Sequence, residues 1–337
     1  MARFSHVISA IDSHTGGEPT RIVLSGLPHL PGGTMAARKR HMNEHLDHFR
    51  TLLMREPRGH RDMFGAILTP PIGEHSHYGL LFMDHAGYLD MCGHGVIGVA
   101  TVLIELGMIA ATEPETVVIF DTPAGVVAGH ARVEAGRVVE VAVANVASFV
   151  YERQVELTLP GVGVIDVDVS FGGNFFAMVD ASKLGMSILR DDIPRLIELG
   201  VMVKDAINQK LKVQHPAKPD IDRVELTEIY ERPGPTTPFS RSMVVFGRGQ
   251  LDRCPCGTGL SALMATLHDR GELPLGVELV DEGIIGTRFK GRLSGEVQVG
   301  GFRAVRPILV GKAYVTGIQQ FVVDPEDPLK YGFVVVR

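Results

Sequence analysis

MCGHGVIGVATVLIELGMI (residues 91–109) and PCGTGLSALMATLHDRGEL (residues 255–273) are two versions of one phrase. At an offset of 164, Cys92 falls on Cys256, Gly93 on Gly257, Gly95 on Gly259, Leu103 on Leu267, Glu105 on Asp269 and Gly107 on Gly271. Each copy reads Cys-Gly-x-Gly, then an apolar-rich helical run, then a glycine where the helix should stop. Such a wide offset is not the short period of a solenoid. It predicts two halves of one architecture, each presenting a cysteine at a helix start.

Outward from these copies the chain reads as an α/β protein of the α+β kind. FGAILTPPI (64–72), YGLLFMDHAG (78–87), TVVIFDTPAG (116–125), VVEVAVANV (138–146), VGVIDVDVSFGG (162–173), RSMVVFGRG (241–249) and AYVTGIQQFVVD (313–324) are apolar runs bounded by Gly, Pro, Asn or Asp, and predict strands. VGVIDVDVS alternates as a half-buried strand should. Helices are expected over 35–55, 96–107, 191–211 and 260–270. A new series of β-like segments starts at DTPAG (121–125), which suggests a domain boundary there.

The 337 residues favour two domains. A composition of 45% hydrophobic and 21% charged residues suits buried cores and argues against disorder. A net charge of −6 and a pI near 6.2 give no reason to expect a nucleic-acid or anionic-membrane partner. The longest apolar run, 95–111, is short for a membrane span and contains Glu105. No apolar signal segment stands at the N-terminus, and three cysteines are too few for a disulfide framework. The expectation is a cytoplasmic chain with reduced thiols.

A thiol at a helix start sits near free N–H groups and the positive end of the helix dipole, so its pKa is expected to fall toward neutrality. The same N–H groups can hold a carboxylate, and flanking glycines let it approach. Two such starts around one substrate would put its α-carbon between two sulfurs. One would act as base on one face and the other as acid on the opposite face. Other readings fit less of the pattern. GHGVIG (93–98) with Asp121 imitates a dinucleotide fingerprint, but the second copy carries Ala262 where the third glycine would stand. A Cys92 nucleophile paired with His94 or His14 leaves Cys256 unexplained. A metal held by Cys254, Cys256 and a histidine lacks the usual Cys spacing. His14 and His60 read as loop residues, whereas His94, between two glycines beside Cys92, reads as a substrate contact.

These motifs carry a family likeness. IDSHTGGEPTRI (11–22), EPRGHRDMFGAI (56–67), MCGHGVIG, DTPAG, SFGGNFFAMV (170–179), VELTEIY (224–230), DRCPCGTG (252–259), AYVTG (313–317) and DPEDPLKYGF (324–333) together resemble the proline racemase family. The resemblance spans nearly the whole chain. It implies two pseudo-symmetric domains of the diaminopimelate-epimerase type, each a sheet wrapped around a central helix, with the active site in the cleft between them. Residues 1–124 with 305–337 would carry Cys92, and residues 125–304 would carry Cys256.

The resemblance also implies a cofactor-independent homodimer with no metal. It would invert proline at its α-carbon by two bases, Cys92 and Cys256. Gly93, His94, Gly257 and Thr258 would hold the carboxylate. His94 and Asp252 would hold the ring nitrogen, and Phe64 and Phe246 would pack on the ring. A 3- or 4-hydroxyproline 2-epimerase is the alternative, and a non-catalytic amino-acid binder is the alternative of another class. Both cysteines being present speaks against the dehydratase branch. Cys254 stands where the family has serine, Val96 and Leu260 where it has threonines, and Arg223 where enzymes acting on 4-hydroxyproline carry histidine.

Overall fold

A computed structural model describes residues 4–232 and 239–335. The chain forms two compact units. One comprises Met1–Met91, Gly95–Val141 and Lys312–Arg337, the other Cys92–His94 and Ala142–Gly311. The changeovers at 141/142 and 311/312 differ from the 124/125 and 304/305 read from the sequence. DTPAG is instead a tight hairpin turn, in which Thr122 Oγ1 accepts the Gly125 N–H at 3.1 Å.

The first unit begins with β1 (His6–Thr15) and β2 (Glu18–Ser25), joined by Gly16 and Gly17 at φ 58° and 97°. Two consecutive positive φ values are what a tight hairpin needs, and glycine supplies them without strain. His14 therefore lies in a strand, not a loop, with its ring stacked on Tyr314 at 5.3 Å. Two helices follow, α1 (Met35–His45) and α2 (Asp47–Met54), where one is expected. The helical path breaks at Leu46, at φ −126° and ψ 13°, and Asp47 restarts it with its carboxylate on the Arg50 guanidinium at 2.6 Å. Thr34 caps α1 by accepting the Ala37 N–H at 3.1 Å.

The unit continues with β3 (Phe64–Thr69), β4 (Tyr78–Asp84), the short β5 (Tyr88–Leu89), α3 (Gly93–Glu105) from Gly95 onward, β6 (Glu115–Thr122), β7 (Gly125–Glu134) and β8 (Arg137–Ala144) as far as Val141. β2 runs parallel to β3, β3 antiparallel to β4, β4 parallel to β6, and β6 antiparallel to β7. The last strand of the chain, β18 (Ala313–Val323), pairs antiparallel with β1. From Gly95 to Ile104 every residue of α3 is buried, as expected of a helix apolar on all sides. Gly98 lets this helix lie close to the sheet. A Cβ there would stand 3.1 Å from Ser13 Oγ.

The second unit contains β9 (Ser148–Leu159), β10 (Gly163–Phe171), β11 (Phe175–Asp180), α4 (Ile193–Lys210), β12 (Val224–Glu231), β13 (Ser240–Phe246), β14 (Gln250–Leu251), α5 (Gly257–Asp269), β15 (Leu279–Glu282), β16 (Arg288–Val299) and β17 (Phe302–Gly311). The pairing repeats that of the first unit. β11 is parallel to β12, β12 antiparallel to β13, β13 parallel to β15 and β15 antiparallel to β16. β16 then pairs with β17, β17 with β9, β9 with β10 and β10 with β11, so this sheet closes on itself. α5 packs against β9, β10, β11, β16 and β17, and its residues 257–267 are all buried. A sheet wrapped around a central helix is thus what the doubled phrase encodes.

The alternation expected of VGVIDVDVS holds only in its first half. Beyond Val167 both faces are buried, and the polar residues there have partners. Asp168 accepts from Arg270 Nη2 at 2.7 Å and from the Gln154 N–H at 2.9 Å, and Ser170 Oγ lies 2.8 Å from Thr266 Oγ1. Among the described residues no helix is long and apolar enough to cross a membrane.

Candidate active site

In both copies a strand pair leads to the cysteine and the helix begins one residue later. α3 and α5 each have 13 residues, in the register the sequence offset predicts. Each ends before a glycine in left-handed conformation, Gly107 at φ 69° and Gly271 at φ 75°. Cys256 is the N-cap of α5, at φ 39° and ψ 104°, and no side chain caps the helix. A non-glycine residue there carries backbone strain that the surrounding packing must hold, and such strain gathers at functional sites.

Cys92–His94 is grouped with the second unit, and there the two motifs meet backbone to backbone. A Cβ on Gly93 would lie 2.7 Å from Gly257 Cα, and one on Gly257 would lie 2.8 Å from Gly93 Cα. No side chain fits between them. The two cysteines, both 5% exposed, are thereby fixed at two facing helix starts. Cys92 Sγ lies 3.2 Å from His94 Nδ1 and Cys256 Sγ lies 3.6 Å from Thr258 Oγ1.

Burial holds His94 at a pKa of about 3, so its imidazole is neutral and keeps a lone pair to offer a cation. Burial raises the Asp252 carboxyl, while hydrogen bonds from the Cys254 and Cys256 thiols and the Cys254 N–H oppose the rise. The Cys254 N–H donates to Asp252 Oδ1 at 3.0 Å. For Cys256 the expected fall in pKa is overturned. Burial pushes the thiol well up, the negative charges of Asp252 and Glu228 push it further, and hydrogen bonds from the Thr258 hydroxyl and Gly259 N–H only offset part of this. A helix dipole is a weak influence beside a dry pocket containing carboxylates.

Two of these acids were not legible as site residues. Glu228 in VELTEIY is fully buried, neither carboxyl oxygen has a hydrogen-bond partner, and a Cβ on Gly259 would lie 2.2 Å from its Oε2. Burial, then the charges of Asp281 and Asp252, raises its pKa well above the usual carboxylate value. Asp281 is held by Ser240 Oγ at 2.6 Å and Ser242 Oγ at 2.5 Å, and burial raises it to about 7. VELTEIYE carries three glutamates, at 225, 228 and 231, and only the middle one is buried, so nothing in the sequence singled it out.

The structure brings Cys92, Gly93, His94, Asp252, Cys256, Gly257 and Thr258 into one neighbourhood. Phe246, 4% exposed, lies in the same unit on β13 and pairs with Leu226 and Gln250. Phe64 lies in the first unit, buried with its ring 6.4 Å from that of Phe82. Val96 and Leu260 are wholly buried. Arg223 is exposed and pairs with Glu225 Oε1 at 3.3 Å. Cys254 has its sulfur within 4.8 Å of ligating atoms of both His94 and Asp252.

Two buried thiols at facing helix starts, with a neutral imidazole and a carboxyl beside them, can take a proton from one face of a carbon and return one to the other. A family model described as proline racemase matches residues 10–334. A proline racemase of Clostridioides difficile is 48% identical, over 99% of each chain. A 4-hydroxyproline 2-epimerase of Streptosporangium roseum is 44% identical, over 99% of this chain and 100% of the relative. The solved structure of a hydroxyproline epimerase from Agrobacterium vitis, with bound trans-4-hydroxy-L-proline, superposes with a TM-score of 0.94 at 34% identity, covering 99% of this chain and 97% of the other.

Proposed function

The chain belongs to the proline racemase family, and we propose that it interconverts L- and D-proline by two-base inversion, without cofactor. The observation that carries this reading is the backbone contact of Gly93 and Gly257, which fixes the Cys92 and Cys256 thiols at facing helix starts. The substrate carboxylate lies against the N–H groups of Gly93, His94, Gly257 and Thr258, which stabilise the charge that builds on it as the α-proton leaves. The ring ammonium lies between His94 and Asp252. One sulfur, as thiolate, takes the α-proton as the other, as thiol, gives its proton to the opposite face. Each turnover therefore leaves the two protonation states exchanged, ready for the reverse direction. Phe64 and Phe246 pack on the ring. The enzyme acts as a homodimer in the cytoplasm, in keeping with the family likeness and with three cysteines that are all free.

The test is proton NMR of L-proline, trans-3-hydroxy-L-proline and trans-4-hydroxy-L-proline in D₂O, with chiral analysis of products. Loss of the proline α-proton signal with appearance of D-proline is expected. Exchange confined to a hydroxyproline would instead assign a 2-epimerase. No exchange with any of the three, despite binding, would assign a non-catalytic amino-acid binder. Cys92→Ser and Cys256→Ser should each abolish racemisation. Retention of most activity by either would overturn the two-base mechanism.

A further inference from the structure

We infer that His94, Asp252 and Cys254 form a binding site for a soft divalent cation of the zinc class, and that the ion inhibits the enzyme by taking the place of the substrate's ring ammonium. The inhibition half of this inference rests on the function proposed above. The site itself does not.

The three donors are one nitrogen, one carboxylate oxygen and one sulfur, and the donor atoms all lie within 4.8 Å of one another. All three residues are buried, at 3%, 4% and 2% exposure. An N, O, S set is the kind that selects zinc over the hard cations magnesium and calcium. An ion at the centre of such a triangle needs each donor to close by less than about 1 Å to reach zinc–ligand lengths of roughly 2.0–2.3 Å. The scaffold holds two of the ligands in place. Asp252 is anchored through its N–H on the Val244 carbonyl at 3.0 Å, and the Cys254 N–H rests on the Asp252 carboxylate.

Charge favours the ion as well. Binding displaces the Cys254 thiol proton to solvent, and the two positive charges are then met by one carboxylate and one thiolate. The resulting set is neutral, which a buried pocket tolerates. His94 and Asp252 already offer a cation one nitrogen and one carboxylate oxygen. Cys254 adds the ligand that makes the set selective for a soft metal. A serine hydroxyl at that position would not.

The experiment titrates the purified full-length enzyme with Co²⁺ as a spectroscopic probe, then with Zn²⁺, alongside Cys254→Ser. Wild type should bind one Co²⁺ per chain with intense tetrahedral visible bands and a thiolate-to-cobalt charge-transfer band, and Zn²⁺ should erase both. Zn²⁺ should inhibit racemisation competitively with proline and reversibly with chelator. Cys254→Ser should racemise proline, lose the charge-transfer band, and need at least about 10- to 100-fold more Zn²⁺ for inhibition, the range that loss of a ligand's support gives. A charge-transfer band that survives in Cys254→Ser places the metal on Cys92 or Cys256 and overturns the site. Absence of Co²⁺ binding overturns it too, and inhibition that proline does not relieve overturns the proposed competition. The cobalt spectrum is read without turnover. Metal bound through Cys254 in a protein that racemises nothing would leave the site standing and remove the function.

Discussion

Asp281 sits on β15 in a wholly buried position, with two serine hydroxyls as its partners. With a folded pKa of about 7, raised by burial, its carboxyl keeps a proton at pH values where the unfolded chain has released it. The stability it contributes is fully present below the unfolded value near 4 and is lost as pH rises through 7, by up to about 4 kcal/mol. Glu228 has the same sign, since burial raises it too. Asp281→Asn keeps the shape and removes the titration. Thermal unfolding followed by circular dichroism from pH 4.5 to 8 should show the wild-type midpoint falling with pH and that of Asp281→Asn falling less. Parallel curves would mean that Asp281 is ionised in the folded protein at pH 7. These residues escaped the sequence reading because a carboxyl near a catalytic thiol and one on a solvated surface look the same in one dimension. Cys254 is similar. Its C-x-C spacing argues against a metal along the chain, whereas its partners His94 and Asp252 are gathered by the fold.

At the scale of elements, α3 and α5 were the most legible parts of the chain. Cysteine, two glycines, an apolar helix and a terminal glycine are local signals, and each copy corroborates the other. The close approach of Gly93 and Gly257 was not legible, since nothing in a Cys-Gly-x-Gly motif says that the first glycine must touch its counterpart. That contact involves backbone on both sides, so neither partner can swing away from an added methyl group. Gly93→Ala and Gly257→Ala should each shift a thiol by a fraction of an ångström or more. Misplacement by about 1 Å costs on the order of 100-fold in rate. Steady-state kinetics should therefore show kcat/KM falling by about 10- to 100-fold in a chain that retains its far-ultraviolet circular dichroism. Wild-type turnover in either variant would show that the separation of the two helix starts does not set the rate. The single helix expected over 35–55 failed for a reason at this same scale. Helical periodicity continues through Leu46 in the sequence, but Asp47 serves better as the first residue of a new helix, where its charge meets the N-terminal dipole and Arg50.

Over the whole molecule, the strands could be read from alternation and turn residues, but the closure of the second sheet could not. It depends on β17 reaching β9, with Ala304 opposite Phe149 and Val305 opposite Ser148, a pairing between segments far apart in the sequence. Closure removes the open strand edges that would otherwise invite aggregation, and it confines α5. Phe149 marks the seam. It is 1% exposed and stacks on Phe302 at 4.9 Å and on Phe171 at 5.2 Å, with Phe175 edge-on at 6.3 Å. Phe149→Ala should leave a cavity lined by three rings and cost about 3–5 kcal/mol, the usual range for a large buried aromatic. Urea unfolding should show the midpoint falling with the slope unchanged if the sheet opens as one cooperative piece. A loss below about 1 kcal/mol would mean that the seam is already slack, and that α5 and its cysteine are held by the other strands around it rather than by a closed sheet.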